Sequence, residues 1–190
     1  MFIQVKLFTS TKNFMKIVSA FLASILLMAC NSSDKTPVDN NNNSSAPDEA
    51  AIKQAVDNAY KALGFSKGNQ PAFDSIQYAF IPQAQLINYI ADTAQILSIG
   101  DFVKAYKNYV ETSKLTSFNE EEIYGRTDQF GNIAQRISAY KTYINSIDIV
   151  KERGVNSFQL IKTPQGWKVS SMIWDVEKPG LSIPDYYLGK

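Results

Sequence analysis

Three stretches decide the fold: Phe130-Gly-Asn-Ile-Ala-Gln-Arg-Ile-Ser-Ala-Tyr140, Arg153-Gly-Val-Asn-Ser-Phe-Gln-Leu-Ile161 and Gly166-Trp-Lys-Val-Ser-Ser-Met-Ile-Trp174. Each mixes β-branched and aromatic residues with polar ones at a period near two, the pattern of a strand with one buried face. Reversal signals separate the runs. Phe130-Gly131-Asn132 and Thr163-Pro164-Gln165-Gly166 carry the residues that tight turns demand. With the run before Gly131, four strands are expected, over 118–129, 132–144, 155–163 and 167–176. The connection 145–154 is longer and charged.

Upstream of Ser117 the period changes. Ala51, Ile52, Ala55, Val56, Ala59, Tyr60 and Leu63 recur at helical spacing. Ser45 and Asp48 have capping-box spacing, Pro47 suits a first turn, Glu49 complements the helix dipole, and Gly64 is a natural stop. A short second helix is expected over 72–80, ending before Pro82, and a short strand over 84–90. Ser98 and Asp101 cap a third helix, with Phe102, Val103, Tyr106, Tyr109 and Val110 on one face. Helices first and a meander of strands last make an α+β domain, with the helices on one face of an antiparallel sheet.

The N-terminal quarter has a different character. The apolar run 17–28 follows Lys16 and ends Leu27-Met28-Ala29-Cys30. That length suits a signal peptide and is short of the ~20 residues of a membrane span. The ending resembles a lipobox, which implies lipidation of Cys30. Met15-Lys16 makes a normal leader start, so Met15 is the expected first residue. Residues 1–30 are thus expected to be a signal peptide, 31–47 an Asn/Ser-rich disordered linker, and 48–190 the domain. A membrane partner through Cys30 and a place in the bacterial cell envelope follow. Asn31, rather than Asp, after the cysteine leans toward the outer membrane, facing the periplasm.

Composition excludes several chemistries. The 190 residues include no His and one Cys. A Ser-His-Asp triad, a His metal site, a disulfide and a cysteine zinc site are therefore ruled out within the domain. No metal and no cofactor are expected. The net charge is +1, and removing Lys6, Lys12 and Lys16 with the leader turns the balance slightly acidic. This is no footprint for nucleic acid. The 10 Tyr and 11 Phe suit a β-rich core or a lined cavity.

The three quoted stretches, in that order and spacing, resemble the nuclear transport factor 2-like superfamily and most nearly its SnoaL-like bacterial branch. Phe73-Asp-Ser-Ile-Gln-Tyr-Ala-Phe-Ile-Pro-Gln-Ala-Gln-Leu-Ile87 is similar to that family's second helix and first strand, and Ile183-Pro-Asp-Tyr-Tyr-Leu188 has the expected tail. The resemblance implies a cone: a curved antiparallel sheet wrapped round N-terminal helices, with a pocket between them. Members include isomerases, dehydratases, cyclases and proteins that only bind or dimerise, so the fold does not settle function. Relatives commonly carry His after Asn-Ile-Ala. Here Gln135 stands there, and the Asp–His dyad of the dehydratases is impossible.

Candidate site residues follow, each with its structural alternative. Arg136 is either a clamp for a ligand carboxylate or half of an internal ion pair. Asn156 and Gln159 lie on opposite faces of one strand, so at most one faces the cone; Asn156 either orients a ligand or bonds a neighbouring strand. Tyr60, Tyr140 and Trp174 either line the pocket or fill the core. Trp167 is expected to pack. Asp74, Asp92 and Asp175 are expected at element ends rather than as bases. Glu120-Glu121-Glu122 is expected to be a solvated strand start, since alternation forbids three consecutive acids from converging on a metal. The leading expectation is a non-catalytic protein binding a small, partly apolar ligand or a partner through the cone. Asp/Tyr proton transfer of isomerase or cyclase type is the alternative, and a homodimer through the open sheet face is a third.

Overall fold

The computed structural model describes residues 46–89 and 93–190. The expectations for 1–45, including the leader, Cys30, the Ser45 cap and most of the linker, and that for Asp92, fall outside them. The described order is α1 (Ala46–Leu63), α2 (Phe73–Ile76), a 3-10 turn (Gln77–Ala79), β1 (Phe80–Asn88), β2 (Gln95–Ser98), α3 (Ile99–Thr112), β3 (Phe118–Phe130), β4 (Ile133–Ile144), β5 (Val150–Thr163), β6 (Gly166–Val176) and a 3-10 turn at Asp185–Tyr187. Among the described residues no helix is long and apolar enough to cross a membrane.

The sheet order is β2-β1-β6-β5-β4-β3. β3 to β6 form the antiparallel meander, its hairpins turning at Gly131 (φ 55) and Gly166 (φ 97), positive values that favour glycine. One departure from a purely antiparallel sheet is that β1 runs parallel to β6. The chain leaves β1 through β2 and α3 and comes back beside it only with β6, the last strand of the meander.

Irregular pairings bend the sheet. The ladders shift between Glu122 and Tyr124, between Thr142 and Tyr143, and between Gln159 and Leu160. An extra residue bends a strand and increases its twist, and the sheet curves round α1. Ile52, Val56, Ala59 and Tyr60 of α1 meet Phe158, Leu160, Val169 and Met172 of the sheet in one core, which Tyr106 and Val110 of α3 extend. Tyr106 also donates its hydroxyl to the Leu63 carbonyl at 2.6 Å, satisfying an end of α1.

The irregularity in β3 changes parity, and this builds the interior. Phe118, Glu120 and Glu122 share the inner face. Ile123 is the extra residue, and after it Gly125, Thr127 and Gln129 are the less exposed, inner positions. On β4 the inner residues are Ala134, Arg136, Ser138, Tyr140 and Thr142, and on β5 Gly154, Asn156, Phe158 and Leu160.

Candidate functional site

Four of the five candidate side chains converge inside the curved sheet. Tyr60 reaches it from α1, Arg136 and Tyr140 from β4, and Asn156 from β5; each is at most 4 % exposed. They are joined by a chain of hydrogen bonds. Asn156 Nδ2 donates to the Tyr60 hydroxyl at 2.9 Å, Tyr60 and Ser138 share a 2.7 Å bond, and Ser138 Oγ donates to Glu122 Oε2 at 2.8 Å. Since Ser138 gives its one proton to the carboxylate, Tyr60 is the donor to Ser138. Such a directional chain polarises each bond in it.

The chain ends on two carboxylates in different situations. Glu122 is gripped by Arg136 through Nε (2.8 Å) and Nη2 (2.5 Å), a bidentate pair with side chains 8 % and 4 % exposed. Arg136 Nη1 also donates to Thr127 Oγ1 at 2.6 Å. Gly125 leaves the room: a β-carbon there would lie 2.6 Å from Glu122 Cδ and collide with Arg136 Nη2. Of the two expectations for Arg136, the structure shows the internal ion pair; its fork is occupied by Glu122 and not open to a ligand.

Among the described residues Glu120 has no such cation. Its carboxylate receives Thr142 Oγ1 at 3.3 Å and Asn156 Nδ2 at 3.5 Å, both long bonds. Burial is the main force on its pKa, which is pushed up to about 7, with the Glu152 carboxylate adding repulsion against the two hydrogen bonds. Burial likewise raises the phenols of Tyr60, Tyr106 and Tyr140, and the Glu120 charge raises each further. Tyr140 donates to Glu152 Oε1 at 3.4 Å, and the Glu152 carboxyl is raised by burial. Gly154 makes space for Tyr140: a β-carbon would sit 2.6 Å from its hydroxyl. Glu120 thus stands among three tyrosines, a threonine and an asparagine, and among the described residues it is in no ion pair.

This corrects the expectation for Glu120-Glu121-Glu122. Only Glu121 points outward, where it pairs with Lys141 at 2.9 Å; Glu120 and Glu122 face in. The signal was present in Phe118, an apolar residue whose face 120 and 122 share at period two. The other candidates are dispersed. Trp174 packs edge-on against Phe102 and borders a cavity of about 360 Å³ with Tyr89, Ile137, Ile173 and Tyr187. Gln159 is exposed, opposite to Asn156, and Trp167 is buried. Asp74 is exposed at the short α2. Asp175 accepts from Val176 N and pairs with Lys178. Of four cavities of about 340–510 Å³ bordering the described residues, none is lined by Tyr60, Glu120, Arg136, Tyr140 or Asn156.

No family model and no curated protein matches the chain. Solved structures do. A protein of unknown function with a cystatin-like fold from Nostoc punctiforme superposes with a TM-score of 0.58 at 11% identity, over 72% of this chain and 98% of that one. A nuclear transport factor 2-like protein of unknown function from Shewanella baltica gives 0.51 at 18%, over 72% and 99%. The fold is nuclear transport factor 2-like, or cystatin-like. A candidate dehydratase of the nuclear transport factor 2-like family, from Streptomyces avermitilis, gives 0.54 at 14%, over 70% and 99%. At these identities the likeness is one of fold alone, and a nuclear transport factor 2-like fold hosts many chemistries.

Proposed function

We propose that the chain is a cell-envelope lipoprotein of the SnoaL-like branch, anchored through Cys30 to the outer membrane, whose domain binds a small, partly apolar molecule at the Glu120 end of the cone. The observation that carries the ligand reading is Glu120 itself. A desolvated carboxylate with two long hydrogen bonds and no cation lowers the stability of the fold that holds it. A few convergent polar groups in an aromatic surround are the recognition chemistry of small-molecule sites. A ligand donor, a hydroxyl or an amine, would give Glu120 the partner it lacks.

The same residue supports a second reading, proton transfer. A carboxyl raised to about 7 exchanges protons at neutral pH, and phenols beside it can stabilise a developing oxyanion. That is isomerase- or cyclase-type chemistry without histidine.

Native mass spectrometry of the full chain recovered from its own host tests the binding reading. The wild type should retain a small molecule that Glu120→Gln loses. A bare wild-type mass would overturn binding. Turnover of the released molecule by the wild type and not by Glu120→Gln would replace binding with catalysis. The anchor is tested separately by fatty-acid labelling, which Cys30→Ser should abolish.

A further inference from the structure

The outer face of the sheet, opposite to the Glu120 network, carries three rows of side chains that cross-strand register defines. Phe130, Ile133 and Ile161 stand side by side in the first. Gln135, Gln159, Ser171 and Gln85 form the second. Ile137, Ser157, Ile173, Ile87 and Ile96 form the third, which crosses five strands. Their chain neighbours Ala134, Arg136, Ser138, Phe158, Leu160 and Met172 are buried on the inner face, so alternation turns these rows outward. Two apolar rows thus flank a row of amides and a hydroxyl. They are open to solvent: Phe130 is 85 % exposed, Ile133 59 %, Ile96 62 % and Ile173 40 %. Contiguous apolar surface with polar groups around it marks an interaction site.

Charge limits what can cover this face. Arg126 and Asp128, which end the third and second rows, pair with each other at 3.8 Å. Lys168, which ends the first, donates to the Tyr78 carbonyl. Farther along the strands Asp175 pairs with Lys178, Arg153 with Glu177 and Glu121 with Lys141. The face is close to neutral and its centre holds no charged residue, as the buried core of a protein interface requires. It offers a nucleic acid, an anionic bilayer or a strongly charged protein nothing to select.

We infer that this face is the interface between two copies of the chain. Self-complementarity selects the occupant, since a two-fold axis brings the same patch of both copies together. Put the axis at Gln159, in the middle row and on one of the central strands. Whether it then runs along the row or along the strands, amides fall on amides and apolar rows on apolar rows. Each amide both donates and accepts, so the middle row can satisfy itself, and no like charges are forced together. The area suffices. Six strands about 4.8 Å apart and three rows about 7 Å apart outline roughly 600 Å² per copy, within the roughly 600–1,000 Å² that each partner of a standard interface buries.

The experiment is sedimentation equilibrium of the full chain in density-matched detergent, for the wild type, Gln159→Lys and Gln159→Glu. Gln159 is exposed, so both variants should keep the wild-type circular dichroism. The wild type should be a dimer at micromolar concentration. Each variant alone should bind itself at least about tenfold more weakly, because two like charges then meet at the axis. An equal mixture of the two should recover the wild-type association, which also shows that both variants fold. A monomeric wild type overturns the proposal. So does a dimer that neither substitution weakens, or one that both weaken and the mixture does not restore. The readout is self-association and not ligand retention, so it stands or falls apart from the Glu120 reading and from the anchor.

Discussion

Glu120 and Glu122 stand two residues apart on one face, and the difference between them is a single guanidinium. The folded-state pKa of Glu120, about 7, lies above its ordinary 4.5. The native state therefore binds the proton more tightly than the unfolded chain. The associated stability is complete below pH 4.5 and is lost as pH rises through 7. Because Glu120 as a whole is only half-buried, the loss across that window should be on the order of 2 kcal/mol. Urea melts at both ends of the window should show it in the wild type, and Glu120→Gln should flatten the slope. At Glu122 the expected result is opposite in kind. Arg136→Leu abandons a buried carboxylate and should cost about 3–5 kcal/mol, most of it recovered when Glu122→Leu is added. Gly125→Ala should approach the single mutant, because its β-carbon occupies the space of the pair; an unchanged melt for Gly125→Ala would mean that the pair is not held as tightly as its distances indicate. The sequence left Arg136 between clamp and ion pair because its partner depends on Ile123, whose insertion turns Gly125 and Thr127 inward. No alternation count that lacks this extra residue aligns Glu122, Gly125 and Thr127 on one face.

Elements with strong periodicity were legible, and those defined by pairing were not. α1, α3 and the β3–β6 meander lie close to where apolar spacing and turn residues put them, since burial of one face fixes both period and register. Pro82, read as the end of a longer second helix, lies inside β1. It is tolerated because the β1–β6 register is irregular between Phe80 and Gln85, where a missing N–H breaks no ladder. β2 was missed altogether. It is four residues long, none of them buried, at the sheet edge, so neither alternation nor length marked it. β5 begins at Val150, earlier than expected, because Lys151, Glu152 and Arg153 read as loop charge while the backbone was already paired to β4. The cap of α3 was legible and is testable. Ser98 Oγ accepts from the Asp101 N–H at 3.1 Å, and Ser98→Ala should lower stability by about 1 kcal/mol in urea. A loss well below that would mean that the hydrophobic face of α3, through Tyr106 and Val110, holds the helix without its cap.

At the scale of the whole chain, one side chain ties the start of α1 to the sheet. Asp48, in the first turn of α1, accepts from Gln129 Nε2 at 2.9 Å and from Lys162 Nζ at 3.1 Å, so it ties the helix start to β3 and β5 across the open end of the sheet. The two hydrogen bonds hold its carboxyl below the ordinary range. Upstream of it the composition offers nothing comparable: the run Asn40-Asn-Asn-Asn-Ser-Ser45 has no apolar side chain to bury. A chain beginning at Ser44 keeps Asp48 and should match the stability of the longer one to within about 0.5 kcal/mol. A chain beginning at Ala50 removes Asp48 and should melt earlier, and Asp48→Asn in the longer chain should reproduce part of that loss, because the amide keeps an acceptor for Gln129 but no charge for Lys162. The measurement is a set of urea melts on the three chains and the full one. If the chain from Ser44 were clearly less stable than the full one, the Asn-rich segment would have to pack on the domain, and the boundary would lie upstream of it. If instead the chain from Ala50 matched the other two, α1 would owe its position to the Ile52, Val56 and Tyr60 stripe alone, and Asp48 would be a surface contact without structural consequence.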